Sequence, residues 1–282
     1  MKIFISGVAG FLGSHLADAL LKEGYEVVGN DNLIGGDLEN VPVGVQFYNV
    51  DCNNIEALKI LFKDVDIIYH CAATPHEGLS VFSPYKNLMN GYSAYTAMIS
   101  AAISSRVRRF VACSSMARYG KGVPDRDGNF VPFTEDMKTQ PEDPYAIGKV
   151  AGEDLLKLMS KVHGMEYVIA VPHNIIGIRQ RYVDPHRNVA SIMINLMLQG
   201  RQPFIYGDGT QMRCFSYYTD DIDPLVKLGF NDNCLGEVIN IGPDDEFVTI
   251  NELARLIAEI INFDLKAIYV PARPREVKFA NC

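Results

Sequence analysis

A tyrosine and a lysine four residues apart, Tyr145 and Lys149, sit just inside a helix start signalled by Asp143 and Pro144. On a helix that spacing puts both side chains on one face, a turn apart. A free phenol titrates near about 10 and is a poor base at neutral pH. A cation one turn away favours the phenolate, and the pair can then take up and return a proton. Helices also carry such a pair by chance, as an ordinary surface or core contact, so the reading depends on what surrounds it.

The elements that would position this pair begin at the first residues. Residues 2–6 read as a short buried strand, followed by Gly7, Gly10 and Gly13 and an amphipathic helix through Leu16, Ala19, Leu20 and Leu21. Residues 26–30 make a second strand that ends at Asp31. Strand, glycine turn, helix, strand and acid, in that order, form a dinucleotide-binding βαβ unit. The glycines permit a tight turn, close approach to a pyrophosphate, and close helix–strand packing, while the helix N-terminus offers free N–H groups to the phosphates. Asp31 is spaced to hold ribose hydroxyls and to repel a 2′-phosphate, which favours NAD over NADP.

Further strands are expected at 45–50, 66–70, 109–113 and 167–171, and helices at 55–62, 87–104 and 145–162. This alternation predicts an α/β fold, a Rossmann-type doubly wound parallel sheet with ligands at the strand C-terminal ends. The loops to inspect are therefore those at Asp51, residues 70–73, residues 113–115, and His173 with Asn174. Residues 1–174 are assigned to the NAD-binding domain. Residues 175–282 are assigned to a smaller, interleaved C-terminal lobe with a helix at 187–198, a turn at Gly207 to Gly209, strands near 213–218 and 237–241, and a helix at 249–262.

The bulk properties set outer limits. A net charge of -8 over 282 residues argues against a protein that tracks nucleic-acid phosphates or an anionic membrane. An anionic small ligand needs only a local cluster of donors. No apolar run approaches the roughly 18 residues of a spanning helix, and Gly7, Gly10, Gly13, His15 and Asp18 break up any signal-peptide core. The six cysteines form no C-x-x-C and no zinc-like group with histidine, so no metal is expected. Cys52, Cys71 and Cys113 fall in or beside apolar runs, which fits reduced thiols and a cytoplasmic location.

Taken together, the motifs resemble the extended short-chain dehydrogenase/reductase family, in its NAD-dependent nucleotide-sugar epimerase/dehydratase branch. The glycines fit that family's G-x-x-G-x-x-G, and Asp31-Asn32-Leu33 is similar to its ribose-binding segment. Asp51 matches its acid near adenine. Residues 70–73 (His-Cys-Ala-Ala) resemble its H-x-A-A segment, and Asn87, Asn90 and Gly91 its N-x-x-G helix start. Residues 113–120 resemble S-S-S-x-x-V-Y-G, which puts Ser115 at the catalytic serine/threonine position, with Tyr145 and Lys149 on the catalytic pair. Asn174 with Gly177, Arg179 and Gln180, the run from Gly207 to Tyr217, Asn240 with Gly242, and Arg273 to Glu276 follow its later signatures. The likeness runs almost end to end.

The resemblance implies specific roles. Tyr145 would remove a proton from a sugar hydroxyl, Ser115 would hydrogen-bond that hydroxyl, and Lys149 would bind the nicotinamide ribose and favour the phenolate. Gly7, Gly10, Phe11, Leu12, Gly13, Asp31, Asn32, Asp51, Cys52, Cys71, Ala72, Ala73, Asn87 and Pro172 would surround the cofactor with Tyr145 and Lys149. The sugar nucleotide would meet His76, Ser115, Met116, Tyr145, Asn174, Asn188, Arg213 and Arg273, the arginines pairing its diphosphate. Two copies would pair through the helices at 87–104 and 145–162. Family members continue a few dozen residues past the last residue of this sequence, so either the sequence is a shortened piece or the substrate lobe is smaller.

The residues after Ser115 separate reactions within the family. Dehydratases carry an acidic pair there and uronate decarboxylases a glutamate, whereas here Met116 and Ala117 transfer no proton. What remains is 4-epimerisation, with a UDP-hexose as the expected substrate. The alternatives are dehydration, decarboxylation or reduction, or a sensor that binds NAD without turnover. Arg118 replaces a valine and is read as a solvated surface charge, the other option being a partner for a substrate carboxylate. His76 and Glu77 follow a strand end, as acid/base groups, sugar contacts or plain loop residues.

Overall fold

The computed structural model describes residues 1–122, 131–186, 188–243, 247–272 and 279–280. Its main sheet is parallel, with strands β1 (Lys2–Ser6), β2 (Glu26–Asp31), β3 (Gln46–Asn49), β4 (Ile67–His70), β5 (Arg109–Cys113), β6 (Glu166–Pro172) and β11 (Val238–Ile241). Their order is β11-β6-β5-β4-β1-β2-β3, so the chain reverses direction across the sheet beside β1, the crevice where doubly wound folds bind ligands.

Both faces of the sheet are covered, which is why β4 and β5 are buried at every residue and mostly apolar, with His70 and Arg109 at their ends. Side-chain alternation sorts the core into two layers. Phe4, Ile68 and Phe110 pack with α2 (Ile55–Leu61), α5 (Ala94–Ser104) and α6 (Pro144–His163). Ile3, Ile5, Ile67, Tyr69 and Val111 pack with α1 (Phe11–Lys22) and α8 (Tyr218–Leu228).

The helix expected at 87–104 is built in three pieces: α4 (Pro84–Leu88), a π-helical turn over Met89–Ser93, and α5. Helix α6 passes close behind it. A Cβ on Gly152 would stand 2.9 Å from the Tyr95 ring, so that position tolerates only glycine.

Helix α8 is absent from the sequence reading, which took residues 213–218 as one strand and left the rest unassigned. Pro224 inside the helix and three aspartates mask an ordinary pattern. Ile222, Leu225, Val226 and Leu228 recur at helical spacing, and Asp220 and Asp221 suit the first turn. Tyr69 anchors the helix by donating to the Val226 carbonyl at 2.8 Å.

After β6 the chain builds a third, separate apolar cluster. Ala190, Met193 and Met197 of α7 (Val189–Leu198) meet Ile250, Leu253, Ala254 and Ile257 of α9 (Ile250–Ile260), with Ile205 between them. Short strands frame it: β7 (Ile175–Ile176) pairs with β10 (Ser216–Tyr217), and β8 (Phe204–Tyr206) with β13 (Ile268–Val270). Strand β9 (Met212–Arg213) lies between β12 (Val248–Thr249) and β14 (Phe279–Ala280). Helix α8 and strand β11 return from this lobe to the first sheet.

Candidate active site

The glycine turn is fixed by backbone contacts. Gly7 has φ +73°, and the Gly7 and Val8 N–H groups both donate to the Asn30 carbonyl, at 2.8 and 3.2 Å. A Cβ on Gly13 would lie 2.2 Å from the Gly7 oxygen, so only glycine lets α1 start this close to the turn. Gly10, the N-cap of α1, has no side chain to satisfy the first-turn N–H groups, which suits that end to a phosphate.

Two carboxylates stand at the ends of β2 and β3. Asp31 accepts from the Ala9 and Leu33 N–H groups at 3.2 and 2.8 Å. Burial pushes its carboxyl above the usual range, against the pull of those bonds. Burial acts on Asp51 too, but bonds from the Asn53 N–H and from Asn32 Nδ2, each at 2.7 Å, outweigh it and hold that carboxyl low.

A cleft of about 240 Å³ joins these parts. Of the residues expected around the cofactor, all line it except Asn87, which lines a smaller adjoining cavity with Tyr145 and Lys149. Gly36, Asn53 and Ala94 also line it and were missed from sequence. Gly36 had a signal: it directly follows the ribose-binding segment, and a Cβ there would strike Asp31 Oδ2 at 2.7 Å. An open helix N-terminus, a glycine cradle without room for side chains, and carboxylates fixed at two strand ends fit a dinucleotide.

The Tyr145 pair stands at one end of this cleft. Asp143 Oδ1 caps α6 by accepting from the Ala146 N–H at 2.9 Å, and Pro144 starts the helix. Tyr145 and Lys149 are both buried, and Ser115, whose Oγ accepts from the Ala117 N–H at 3.2 Å, lies near enough to act on the Tyr145 phenol. Burial raises the Tyr145 phenol well above its ordinary value, while Ser115 pulls it back. Lys149 Nζ lies 5.8 Å from the Tyr145 ring centre and donates to the Cys113 carbonyl at 2.6 Å. The helix brings the two together, but strand β5 captures the ammonium. Burial also lowers the Lys149 pKa. Below them His70 is fully enclosed, bonded to Ser6 Oγ at 2.7 Å, and burial drives its pKa down to about 3.

Arg118 overturns its surface assignment. It is only 4% exposed, and its guanidinium meets the buried Glu153 carboxylate of α6 at 2.9 Å and the Tyr119 hydroxyl at 3.0 Å. Glu153 also accepts from Ser114 Oγ, and Tyr119 donates to Asn240 Oδ1 of β11 at 2.9 Å. Glu153 lies one helical turn beyond Lys149, so base, cation and acid form a single stripe on α6. The network ties that helix to the turn carrying Ser115. It also removes Arg118 from the role of partner to a substrate carboxylate.

The residues expected at the sugar nucleotide are dispersed. His76 lines the cleft and pairs with Asp184 at 2.9 Å, and the Glu77 carboxylate raises the Tyr145 phenol further. Met116 is buried in the apolar core. Asn174 adopts φ +35°, with its amide 3.3 Å from His173 Nε2. Asn188 caps α7 by accepting from the Ala190 N–H at 2.9 Å. Arg213 on β9 donates to the Met212 carbonyl at 2.8 Å. Among the described residues, Ser115, Met116, Asn174, Asn188 and Arg213 do not line the cleft itself, and Arg273 lies outside the described residues.

A doubly wound sheet with a glycine cradle, its cleft reaching a buried tyrosine and lysine, defines an NAD-binding α/β protein. The chain belongs to the NAD dependent epimerase/dehydratase family, whose model matches residues 3–242. A Methanocaldococcus jannaschii protein provisionally named a UDP-glucose 4-epimerase is 35% identical, over 98% of this chain and 87% of its own. A Bacillus cytotoxicus UDP-N-acetyl-alpha-D-glucosaminuronate decarboxylase is 29% identical, over 96% of this chain and 83% of its own. The structure of Thermotoga maritima UDP-glucose 4-epimerase with UDP-glucose superposes with a TM-score of 0.92 at 28% identity, covering 99% of this chain and 89% of that one. NAD is the cofactor of this family, and no helix of the described residues is long and apolar enough to cross a membrane.

Proposed function

We propose that the protein is an NAD-dependent epimerase that inverts C4 of a UDP-hexose through a 4-keto sugar. The observation that carries this reading is that Tyr145 and Lys149 open together on the dinucleotide cleft, with Ser115 beside the phenol and no proton-transferring side chain at Met116 or Ala117. NAD, when bound, supplies a reversible hydride acceptor. Tyr145 Oη takes the proton of the sugar 4-hydroxyl and returns it after the sugar has turned its other face. Ser115 Oγ orients that hydroxyl. Lys149 lies within one turn of the phenol to hold the nicotinamide ribose and add positive charge. Asp31 holds the adenosine ribose and the first turn of α1 the pyrophosphate, with Asn174, Asn188, Arg213 and Arg273 assigned to the sugar nucleotide.

The reading extends to a pair of chains in a reducing cytoplasm. Phe82 and Tyr85 beside α4 and Ile147 and Leu158 on α6 are exposed apolar residues that support pairing of two copies, and the five described cysteines are all free thiols. Residues 1–174 then form the cofactor domain and 175–282 the sugar-nucleotide lobe.

Incubation with UDP-glucose, UDP-galactose and their N-acetylated and uronate counterparts, with separation of C4 epimers, tests the reaction. Tyr145→Phe should lower turnover by about 10²–10⁴-fold while NAD binding persists. A wild-type protein that binds NAD and interconverts none of these sugars refutes the proposal. The His76–Asp184 pair in the cleft favours one second reading, in which His76 is an added acid/base group for elimination or decarboxylation. Carbon dioxide release or a keto-deoxy sugar, lost in His76→Ala with NAD still bound, would establish it.

A further inference from the structure

The floor of the cleft holds two thiols that the sugar chemistry does not use. Strands β4 and β5 run parallel with His70 opposite Ala112, so Cys71 and Cys113 leave the two strands side by side. Neighbouring strands lie about 4.8 Å apart. That falls inside the Cα separation of about 4.4–6.8 Å that a disulfide bridges. Residues opposite each other on paired strands project to the same face, and the two Sγ atoms stand 3.7 Å apart. Both residues line the cleft, Cys71 the more open of the two.

The two thiols are not equivalent. The hydrogen bond shared with Cys71 and the Lys149 ammonium pull the Cys113 thiol below its ordinary range against burial, while the same bond and burial push Cys71 up. The Lys149 ammonium thus sits where it favours a thiolate at this pair. Lys149 is bound to the carbonyl of Cys113 itself, so the thiol site and the proposed catalytic site share a residue.

We propose that Cys71 and Cys113 form a thiol-modification site in the cofactor cleft, converted to an intramolecular disulfide by a low-molecular-weight disulfide entering where the dinucleotide binds. In the first step the Cys113 thiolate attacks one sulfur of the small disulfide. A Cys113 mixed disulfide forms, and the departing thiolate takes up the proton that Cys113 gave. In the second step Cys71 loses its proton and attacks Cys113 Sγ, displacing the second small thiolate, which takes that proton. The protein gives up two electrons and two protons, and the small disulfide becomes two thiols. Closure shortens the sulfur separation from 3.7 Å to about 2.05 Å, draws the ends of β4 and β5 together, and moves the carbonyl that holds Lys149. The oxidised protein then binds NAD more weakly, and bound NAD shields the thiols. The coupling rests on the reading that this cleft takes the dinucleotide.

The test uses the full chain freed of nucleotide and treated with 2-hydroxyethyl disulfide. Expected are a loss of about 2 Da in intact mass, a Cys71–Cys113 cross-linked peptide, and NAD affinity at least about tenfold weaker by calorimetry. Dithiothreitol should restore all three, and saturating NAD should slow the cross-link at least about tenfold. Cys71→Ser should stop at the mixed disulfide, with a gain in mass. Absence of the cross-link in protein that binds NAD when untreated overturns the proposal, as does a cross-link that leaves NAD affinity unchanged. Failure of the untreated protein to bind NAD refutes the cleft reading instead, and with it the coupling.

Discussion

Replacing Arg118 with methionine leaves Glu153 buried at 1% exposure without its counter-charge, while Ser114 still donates to the same carboxylate. At 2.9 Å and an effective dielectric of about 20, the pair attracts by on the order of 6 kcal/mol before desolvation is counted. Removing one partner of such a pair costs about 3–5 kcal/mol. That is a large share of the roughly 5–15 kcal/mol that stabilises a typical domain. Arg118→Met should therefore lower the unfolding free energy by about 3–5 kcal/mol. Adding Glu153→Leu should recover about half of it or more, because the apolar pair no longer strands a charge. The recovery stays incomplete, since Ser114 loses its acceptor and Tyr119 a donor. Urea titration followed by circular dichroism and tyrosine fluorescence suits a chain with 14 tyrosines and no tryptophan. A cost below about 1 kcal/mol for Arg118→Met, with the double variant simply additive, would mean that the guanidinium faces water and that the network does not hold the Ser115 turn.

Three further outcomes follow from single contacts. Gly13→Ala drives a methyl group into the Gly7 carbonyl, and the resulting shift of α1 should weaken NAD binding by about tenfold or more, read by calorimetry. His70, held at about 3 when folded against about 6.5 when unfolded, takes up a proton only on unfolding between those values. Its stabilising effect is present above about 6.5 and is lost as pH falls toward 3, at up to about 1.4 kcal/mol per pH unit. His70→Gln should flatten that limb of the stability profile by about one proton. Asp143→Ala removes the cap of α6 and should cost about 0.5–2 kcal/mol in a denaturant titration.

What could be read from the sequence was local. The glycine turn with Asp31, and Tyr145 with Lys149, are short-range spacings whose geometry follows from one turn or one helix, and the cleft contains all of them. Ser115 lies far from both in sequence; the strand order marked its loop for inspection, and its role came from the resemblance. Arg118 was misjudged because the burial of a charge depends on its partner, and Glu153 is fixed by the packing of a helix that comes later in the chain. Lys149 was placed on the right face, but its bond to a main-chain carbonyl on another strand left no local trace. Strand β11 was recognised as a strand, yet nothing local shows that it completes the first sheet, because parallel pairing carries no short-range mark. Helix α8 was hidden by Pro224, whose missing N–H normally argues against a helix interior and is outweighed here by packing on α1 and β4.

The return of β11 to the edge of β6 has a consequence for how the chain is made. The strand that closes the sheet is synthesised only after α7, the short strands β7 to β10 and α8 have left the ribosome. Until then β6 presents an unpaired edge, and Tyr119 lacks the Asn240 partner that anchors its turn. The last third of the polypeptide supplies the strand that covers that edge, so the main sheet is complete only once the second lobe has been made.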